Sequence, residues 1–213
     1  MDADAVEIRV LGCLVEKQRT TPDAYPLSLN ALRLACNQST NRDPVVDYDE
    51  SIIRSALERL SRKGWTRLAS GAGSRAAKYR HLFDQAVGVS PAELSLLSVL
   101  MLRGPQTPGE LKQRAERMHP FGSLAEIEEV LAGLIERELV ARAARRPGQK
   151  EERYSQLLGD GATIESRAAP GPASDDDRLS ELDRRVAALE TDLASLRGEL
   201  GAQHPRERGQ AEA

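Results

Sequence analysis

Residues 51–65, SIIRSALERLSRKGW, decide the fold, because their pattern returns at residues 125–139 as AEIEEVLAGLIEREL. In both stretches the apolar residues repeat at the spacing of one face of a helix, and another apolar residue follows the helix end. The equivalent positions keep a constant offset: Leu57, Leu60 and Trp65 correspond to Leu131, Leu134 and Leu139. Internal repetition of this kind predicts two units of one fold in tandem.

The first stretch lies in a unit whose other elements are also marked in the sequence. Apolar spacing and capping residues predict three helices, over 5–18, from Ser28 to Cys36, and between Asp49 and Gly64. The third helix is expected to bury Ile52, Ile53, Ala56, Leu57 and Leu60. Residues 65–69 and 77–83 are expected to pair as a hairpin around the glycine-rich tip 70–74. Three helices and a hairpin predict a first winged-helix domain, residues 1–88.

The same order of elements returns in residues 89–158. Helix starts are marked by Ser90-Pro91, by Thr107-Pro108 and by a capping box of Ser123 with Glu126. The third of these helices is expected to bury Ile127, Val130, Leu131, Leu134 and Ile135. A second hairpin is expected from residues 139–142 and 152–157, around a turn at 146–149. The sequence therefore predicts a second winged-helix domain and a mainly α fold class with small β-hairpins.

The remaining residues predict a tether and a self-associating helix. Residues 159–177 are rich in Ala, Gly, Pro, Ser and Asp, and are expected to form a disordered linker. Residues 178–201 carry Leu and Val alternately three and four apart, the heptad pattern of a coiled coil, and residues 202–213 are expected to be a disordered tail. Flanking charges such as Arg178 and Asp183 favour a parallel homodimer. The alternative is one amphipathic helix that docks on its own chain.

Composition excludes several classes of protein. The chain has 213 residues, 30 Lys and Arg against 33 Asp and Glu, and only 3% aromatic residues, so its cores are aliphatic and it has no overall basic excess. A small excess, 13 basic against 11 acidic residues, falls in residues 1–88. The N-terminus lacks the basic and apolar regions of a signal peptide, and no stretch has the length of a membrane span. We expect a cytoplasmic protein that does not contact membranes.

The sequence shows none of the usual marks of catalysis. His81, His119 and His204 have no partners at metal-ligand spacing, no phosphate-binding glycine loop follows a strand, and no nucleophile has an evident base. Cys13 and Cys36 fall within apolar helical patterns, which favours burial over redox chemistry. We therefore expect no enzymatic activity, no metal and no cofactor.

The two third helices differ in charge, and that difference predicts where DNA could bind. In a DNA-binding winged helix the third helix enters the major groove. The first unit offers basic and hydroxyl side chains there and on its hairpin, and the candidate DNA-binding residues are Ser51, Arg54, Ser55, Arg59, Arg62, Lys63, Arg75 and Lys78. The second unit offers Glu128, Glu129 and Glu136, which would repel a polyanion. The alternative for the first helix is a solvated face on which Arg54 merely pairs with Glu58.

Several stretches resemble the bacterial YceH family. They are LGCLVEK at 11–17, TPDAYPLSLNAL at 21–32, ACNQSTNRDPV at 35–45, KYRH at 78–81 and SPAEL at 90–94. The resemblance covers roughly residues 5–158 and is looser in the tail. It implies tandem winged helices in a cytoplasmic bacterial protein, and it brings no catalytic residues with it.

Two functional hypotheses follow from these patterns. The first is a homodimeric protein that binds double-stranded DNA through the first unit, as a transcriptional regulator does. The second is an adaptor whose winged helices bind protein partners, as the tandem winged-helix subunits of bacterial condensin do. The acidic third helix of the second unit favours a protein partner at that end of the molecule.

Overall fold

The computed structural model describes residues 2–69, 77–143 and 152–159. Helix α1 begins with a capping box. The Asp4 carboxylate accepts a bond from the Glu7 backbone N–H at 2.8 Å, and Glu7 accepts one from the Asp4 N–H at 2.9 Å. Ser28 and Asp49 cap the next two helices in the same way, each through its side-chain oxygen. The helices of this first repeat are α1 (Ala5–Thr20), α2 (Leu29–Cys36) and α3 (Glu50–Arg62).

The first repeat closes with a small antiparallel sheet. Its strands are β1 (Leu27–Ser28), β2 (Thr66–Leu68) and β3 (Lys78–His81), in the order β1-β3-β2. Thr66 lies opposite His81 and both are buried, whereas Arg67 and Arg80 lie opposite each other on the other face. The predicted hairpin is therefore present, with one correction. Phe83, expected in the second strand, instead begins a short helix α4 (Phe83–Val87) and is fully buried against Trp65.

The second repeat has the same order of elements. It comprises α5 (Pro91–Arg103), α6 (Pro108–Ala115), α7 (Leu124–Glu136), β4 (Val140–Ala143) and β5 (Arg153–Gln156). Gln106 pairs with Tyr154 of β5 just before α6, as β1 pairs with β3 just before α2. The predicted capping box at Ser123 is only half formed. Ser123 accepts from the Glu126 N–H, but Glu126 accepts from the Gly122 N–H instead of that of Ser123.

The two repeats pack on each other through their first helices. Helix α5 is buried from Leu94 through Leu102, because α1 covers a face that would otherwise meet solvent. The helices approach closely at Gly12, whose carbonyl accepts a bond from the Ser98 hydroxyl at 3.3 Å. Burying each leucine of this contact contributes about 1.5–3 kcal/mol. The result is a mainly helical fold with two small antiparallel sheets, and all the described residues fall within one compact unit.

One residue that the sequence placed in the core is exposed. Ile52, expected in the core, is 39% exposed, because α3 turns only Ile53, Ala56, Leu57 and Leu60 inward. The expected linker, coiled coil and tail lie outside the described residues, except for Gly159 at the start of the linker. Among the helices that the structure describes, none is long and apolar enough to cross a membrane.

Candidate nucleic-acid interface

The outward face of α3 is polar and begins at a well-formed helix start. Asp49 accepts a bond from the Ile52 N–H at 2.9 Å and from the Ser51 hydroxyl at 2.7 Å. These bonds favour the charged carboxylate, so the pKa of Asp49 lies below its usual value. Beyond this turn, Arg54, Ser55 and Arg62 are exposed. Positions 51, 55 and 62 follow helical spacing, so they form one stripe of hydroxyl and guanidinium groups.

Arg59 and Lys63 lie on the flank of α3 that faces the start of α1. The Arg59 guanidinium lies 2.6 Å from Asp4 Oδ2 and 3.7 Å from Glu7 Oε2. The Lys63 ammonium lies 3.0 Å from Glu7 Oε1 and donates to the Asp2 carbonyl at 2.5 Å. Two of the candidate residues are therefore engaged in ion pairs within the chain. Sequence spacing did not indicate these partners, because more than fifty positions separate them along the chain.

Arg54 and Arg62 differ from that pair. No ion pair joins Arg54 to Glu58, although the two are one helical turn apart and both are described. The Arg54–Glu58 pair named in that alternative is therefore not formed. The exposed face of α3 is mixed, since Glu50 and Glu58 lie on it beside the two arginines.

The hairpin contributes a second basic surface. Lys78 and Arg80 alternate along β3 with the half-buried Tyr79, and Arg67 lies directly opposite Arg80 on β2. Like charges directly opposite each other on a sheet are destabilising. The face formed by Arg67, Lys78 and Arg80 therefore favours binding of an anion. Arg75, the remaining candidate on this hairpin, lies outside the described residues.

The base of the hairpin is buried and uncharged. His81 Nε2 and Gln18 Oε1 lie 2.5 Å apart, and the His81 backbone N–H donates to the Tyr25 hydroxyl at 2.8 Å. Burial lowers the pKa of His81 to about 4 and raises the pKa of Tyr25 to about 12. Both side chains are neutral near pH 7. The charge of this region comes from the arginines and lysine of the outer face and from Asp84, whose Oδ1 lies 3.6 Å from His81 Nδ1.

The equivalent helix of the second repeat is acidic. Glu128, Glu129 and Glu136 are exposed on α7, as the sequence predicted. Arg137, which follows this helix, lies 3.0 Å from Glu93 and donates to the Val87 carbonyl at 2.6 Å. Its charge is therefore already paired within the chain. The exposed face of α7 has a net negative charge, in contrast to that of α3.

The most elaborate polar arrangement of the first repeat was not predicted. The segment 37–49 leads into α3, and Arg42 at its centre has a fully buried side chain. Arg42 binds both carboxylate oxygens of Glu16, at 2.6 and 3.1 Å, and also donates to Gln38 and to the carbonyls of Ala35 and Asn41. Burial opposes its charged form most strongly, but the bonds to Glu16, together with the charge of Glu16 and the neighbouring Cys13 and Cys36, hold the pKa of Arg42 above its usual value.

A second buried arginine fastens the same segment to α1. Arg9 donates to the Cys36 carbonyl at 3.2 Å and to the Pro44 carbonyl at 2.7 Å. The other side of the segment meets α5, where the Asp43 N–H donates to the Leu102 carbonyl at 2.8 Å and Arg103 donates to Asn41. The entry to α3 is thus fixed from both repeats. The only signal in the sequence was Arg9 itself, a charge within the apolar pattern of α1.

The described residues also bear on other kinds of site. Cys13 and Cys36 are buried free thiols, as expected from their apolar context. Within residues 2–69, 77–143 and 152–159, no group of three or more His, Cys, Asp or Glu side chains could hold a metal ion.

Comparison with known proteins identifies the family. A family model described as "Protein of unknown function, DUF480" matches residues 3–149. The chain belongs to this family. The match spans α1 through β4, so both repeats are part of what defines the DUF480 family, and the family agrees with the YceH-like resemblance of the sequence.

Curated members of the family are similar over nearly their whole length. A UPF0502 protein of Pelobacter propionicus is 50% identical over 201 residues, covering 90% of this chain and 91% of the relative. A UPF0502 protein of Shewanella amazonensis is 46% identical, with 91% and 96% covered. A UPF0502 protein of Serratia proteamaculans is 44% identical, with 94% and 95% covered. The DUF480 architecture of this chain therefore extends across distinct bacterial species.

Proposed function

We propose that each repeat is a winged-helix unit and that this DUF480 protein is a DNA-binding transcriptional regulator. The first repeat approaches duplex DNA, with the stripe of α3 entering the major groove and the β2–β3 hairpin gripping the backbone. The order of three helices and a hairpin, present twice, supports the winged-helix assignment. This function would place the protein in the cytoplasm, where bacterial DNA lies.

The observation that carries the proposal is the charge contrast between α3 and α7. A helix that enters the major groove lies between two rows of phosphates, so exposed cations attract the duplex and exposed carboxylates repel it. On α3, Arg54 and Arg62 are exposed on the same helix as the hydroxyls of Ser51 and Ser55. On α7, three glutamates occupy the exposed face. Helix α3 is the more favourable of the two for inserting into DNA.

The hairpin supports the proposal independently. Arg67 and Arg80 are paired across the strands, where their mutual repulsion is unfavourable in the free protein. A phosphate group between them would turn that repulsion into two charge-assisted hydrogen bonds. Phosphate contacts fix the register of a protein on DNA without reading its sequence. The hairpin is therefore assigned to backbone contact, while α3 is assigned to base contact through Ser51 and Ser55 and to phosphate contact through Arg54 and Arg62.

The test is binding of a fluorescent duplex DNA by the full chain, followed by anisotropy over a range of salt concentrations. Arg54→Gln with Arg62→Gln should weaken binding by about tenfold or more, since each bond to a charged group contributes about 1.5–3 kcal/mol. The salt slope should fall by about two, one for each lost phosphate neutralisation. Arg114→Gln with Arg117→Gln removes the same charge from the second repeat and is the matched control.

Two results of that experiment would overturn the proposal. The first is no binding at micromolar concentration and low salt, either by the wild-type protein or by a variant with Asp4→Asn and Glu7→Gln, the carboxylates that lie against Arg59 and Lys63. The second is an equal loss of affinity for the α3 variant and the α6 control, which would make the effect one of net charge alone.

The proposed regulator is a homodimer joined through the heptads of residues 178–201, which lie outside the described residues. Pairing of two chains would present two copies of α3 to a two-fold symmetric site. Sedimentation of the full chain should give the mass of a dimer, and removal of residues 178–213 should give a monomer that still unfolds cooperatively. A monomeric full chain would exclude the dimer.

The second candidate function is that of an adaptor, and the observation that favours it is the acidic surface of α7. Leu124 at its start is 49% exposed, and Glu128 and Glu129 follow one turn later. An apolar side chain beside carboxylates suits a basic partner protein with an apolar centre. The test is a pull-down with the tagged full chain. Recovery of one stoichiometric protein partner would favour the adaptor, provided that the variant with Glu128→Gln and Glu129→Gln no longer recovers it and that the chain binds no DNA.

A further inference from the structure

Residues 2–7, which include the first turn of α1, form an arm that lies against the basic flank of α3. Asp4 binds Arg59 at 2.6 Å, Glu7 binds Lys63 at 3.0 Å, and the Asp2 carbonyl accepts from Lys63 at 2.5 Å. Arg59 lies one turn from both of the exposed residues Ser55 and Arg62, and Lys63 lies one turn beyond Arg59. The arm therefore occupies the two cations nearest to the stripe that we assign to DNA.

The arm is also fastened at the opposite side, by the end of the second repeat. The Ala3 N–H donates to the Leu158 carbonyl at 3.0 Å, and the Ala3 side chain is 1% exposed. Gly159 follows directly, and a Cβ at this position would come within 2.0 Å of the Ala3 carbonyl oxygen. Only glycine fits so close to another backbone. The arm is held in place by packing as well as by its charges.

Carboxylate and phosphate oxygens compete for the same donors. Arg and Lys bind both groups by charge-assisted hydrogen bonds of similar length. The Asp4–Arg59 pair is partly open to solvent, with side chains 50% and 34% exposed, whereas the Glu7 side chain is only 3% exposed. A partly exposed pair is screened and weak, so the Asp4 contact should yield first to a competing anion.

We propose that this N-terminal arm is an intramolecular competitor of DNA, an autoinhibitory contact in which Asp4 and Glu7 occupy Arg59 and Lys63 in place of phosphates. The inference rests on the proposed DNA binding through α3. The arm determines how many cations of the first repeat are available to DNA phosphates. With the arm in place the flank is neutralised, and with the arm displaced Arg59 and Lys63 add to the surface of Arg54 and Arg62.

Two conservative substitutions isolate the charges of the arm. Asp4→Asn keeps a favoured N-cap residue, and Glu7→Gln keeps a residue that can complete the capping box. The matched control is Glu93→Gln with Glu110→Gln, which alters two other capping-box glutamates, each paired with an arginine of the second repeat. Both double variants raise the net charge of the chain by two.

The experiment measures anisotropy of a duplex DNA with the full chain as a function of salt. The variant with Asp4→Asn and Glu7→Gln should bind at least tenfold more tightly than the control variant at low salt. Its salt slope should be steeper by about two, since each phosphate neutralised adds about 0.9 to the slope. Asp4→Asn alone removes the 2.6 Å contact and leaves Arg59 only the 3.7 Å contact with Glu7, so it should steepen the slope by up to about one. It keeps the test available if the double variant unfolds.

The outcomes separate this inference from the proposed function. If the wild-type protein binds DNA and the arm variants match the control variant in affinity and slope, the arm does not compete and the inference is wrong, while the proposed function stands. If the wild-type protein is silent but the arm variant binds, both are supported, because masking is then complete. If neither binds, the proposed function fails and the inference fails with it.

Discussion

The two repeats share one order of elements but stabilise it differently. Among the described Asp, Glu, Lys, Arg and His side chains, four are buried, and all four belong to the first repeat: Glu7, Arg9, Arg42 and His81. The polar side chains that the second repeat buries are uncharged. Its ion pairs, such as Arg153 with Glu110, are about one-third exposed. The comparison teaches that repetition of a fold does not require repetition of the forces that hold it.

The difference follows from the segment before each third helix. In the first repeat residues 37–49 separate α2 from α3, whereas in the second residues 116–123 separate α6 from α7. A longer segment brings more backbone N–H and C=O groups that need partners once they leave water. Arg9 and Arg42 supply donors for four carbonyls of this region. The buried charges are therefore what fixes the entry of α3.

The largest effect expected from this contrast is that of Arg42→Met. It leaves the Glu16 carboxylate only Lys17, at 3.7 Å, in place of the buried guanidinium, and breaking a buried pair costs about 3–5 kcal/mol of the free energy of unfolding. Arg153→Met, in the second repeat, breaks a partly exposed pair and should cost about 1 kcal/mol or less. Urea unfolding of both variants measures the difference. Equal losses would show that the two repeats use charge alike.

The second effect concerns pH. It compares His81 with Gln156, which occupies the equivalent position of the second repeat. Thr66 opposes His81 as Val140 opposes Gln156. The pKa of His81 is about 4 in the folded chain, below the value near 6.5 of an unfolded histidine. The unfolded chain therefore binds more protons between these values, and the free energy of unfolding should fall by about 3 kcal/mol as pH drops from 6.5 to 4.

His81→Gln should remove that part of the pH dependence, because glutamine does not titrate and occurs at the equivalent site of the second repeat. Unfolding by urea at several pH values between 4 and 7 measures the slope for wild type and variant. The difference between the two slopes is assigned to His81 together with Asp84, whose Oδ1 lies 3.6 Å from His81 Nδ1. Parallel slopes would mean that folding does not lower the pKa of His81.

The contrast between the repeats also separates what the sequence could predict from what it could not. Apolar spacing and the caps Asp49 and Ser90 located the helices, because both signals are local. The exposed glutamates of α7 followed from the same spacing. The burial of Arg42 depends on Glu16, and the engagement of Arg59 depends on Asp4, so each required the folded chain to bring distant residues together.

Helix α5 shows the same limit for apolar residues. Its first turns have the capping box and helical spacing of a helix with one buried face, yet α1 covers its remaining face. For Ile52 the sequence predicted more burial than the structure has. Ile52 fits the apolar face of α3 but lies beyond the region that α1 and α2 cover. Spacing along one helix predicts which residues share a face, and the neighbouring helices decide how wide the buried face is.

The smallest expected effects compare two glycines inside helices. Gly12 lies at the contact between α1 and α5, and Gly133 lies on α7 away from any such contact. At Gly12 a Cβ would lie 3.0 Å from Leu102 and Met101, both buried, so Gly12→Ala forces side chains apart. Overpacking costs about 1–3 kcal/mol, and the better helix propensity of alanine offsets at most about 1 kcal/mol of it. Gly133 on α7 has nothing within 4 Å of its Cβ position, so Gly133→Ala should stabilise by about 0.5–1 kcal/mol. Thermal or urea unfolding should therefore move in opposite directions for the two variants, and a stabilising Gly12→Ala would mean that α1 and α5 do not pack as closely as the structure places them.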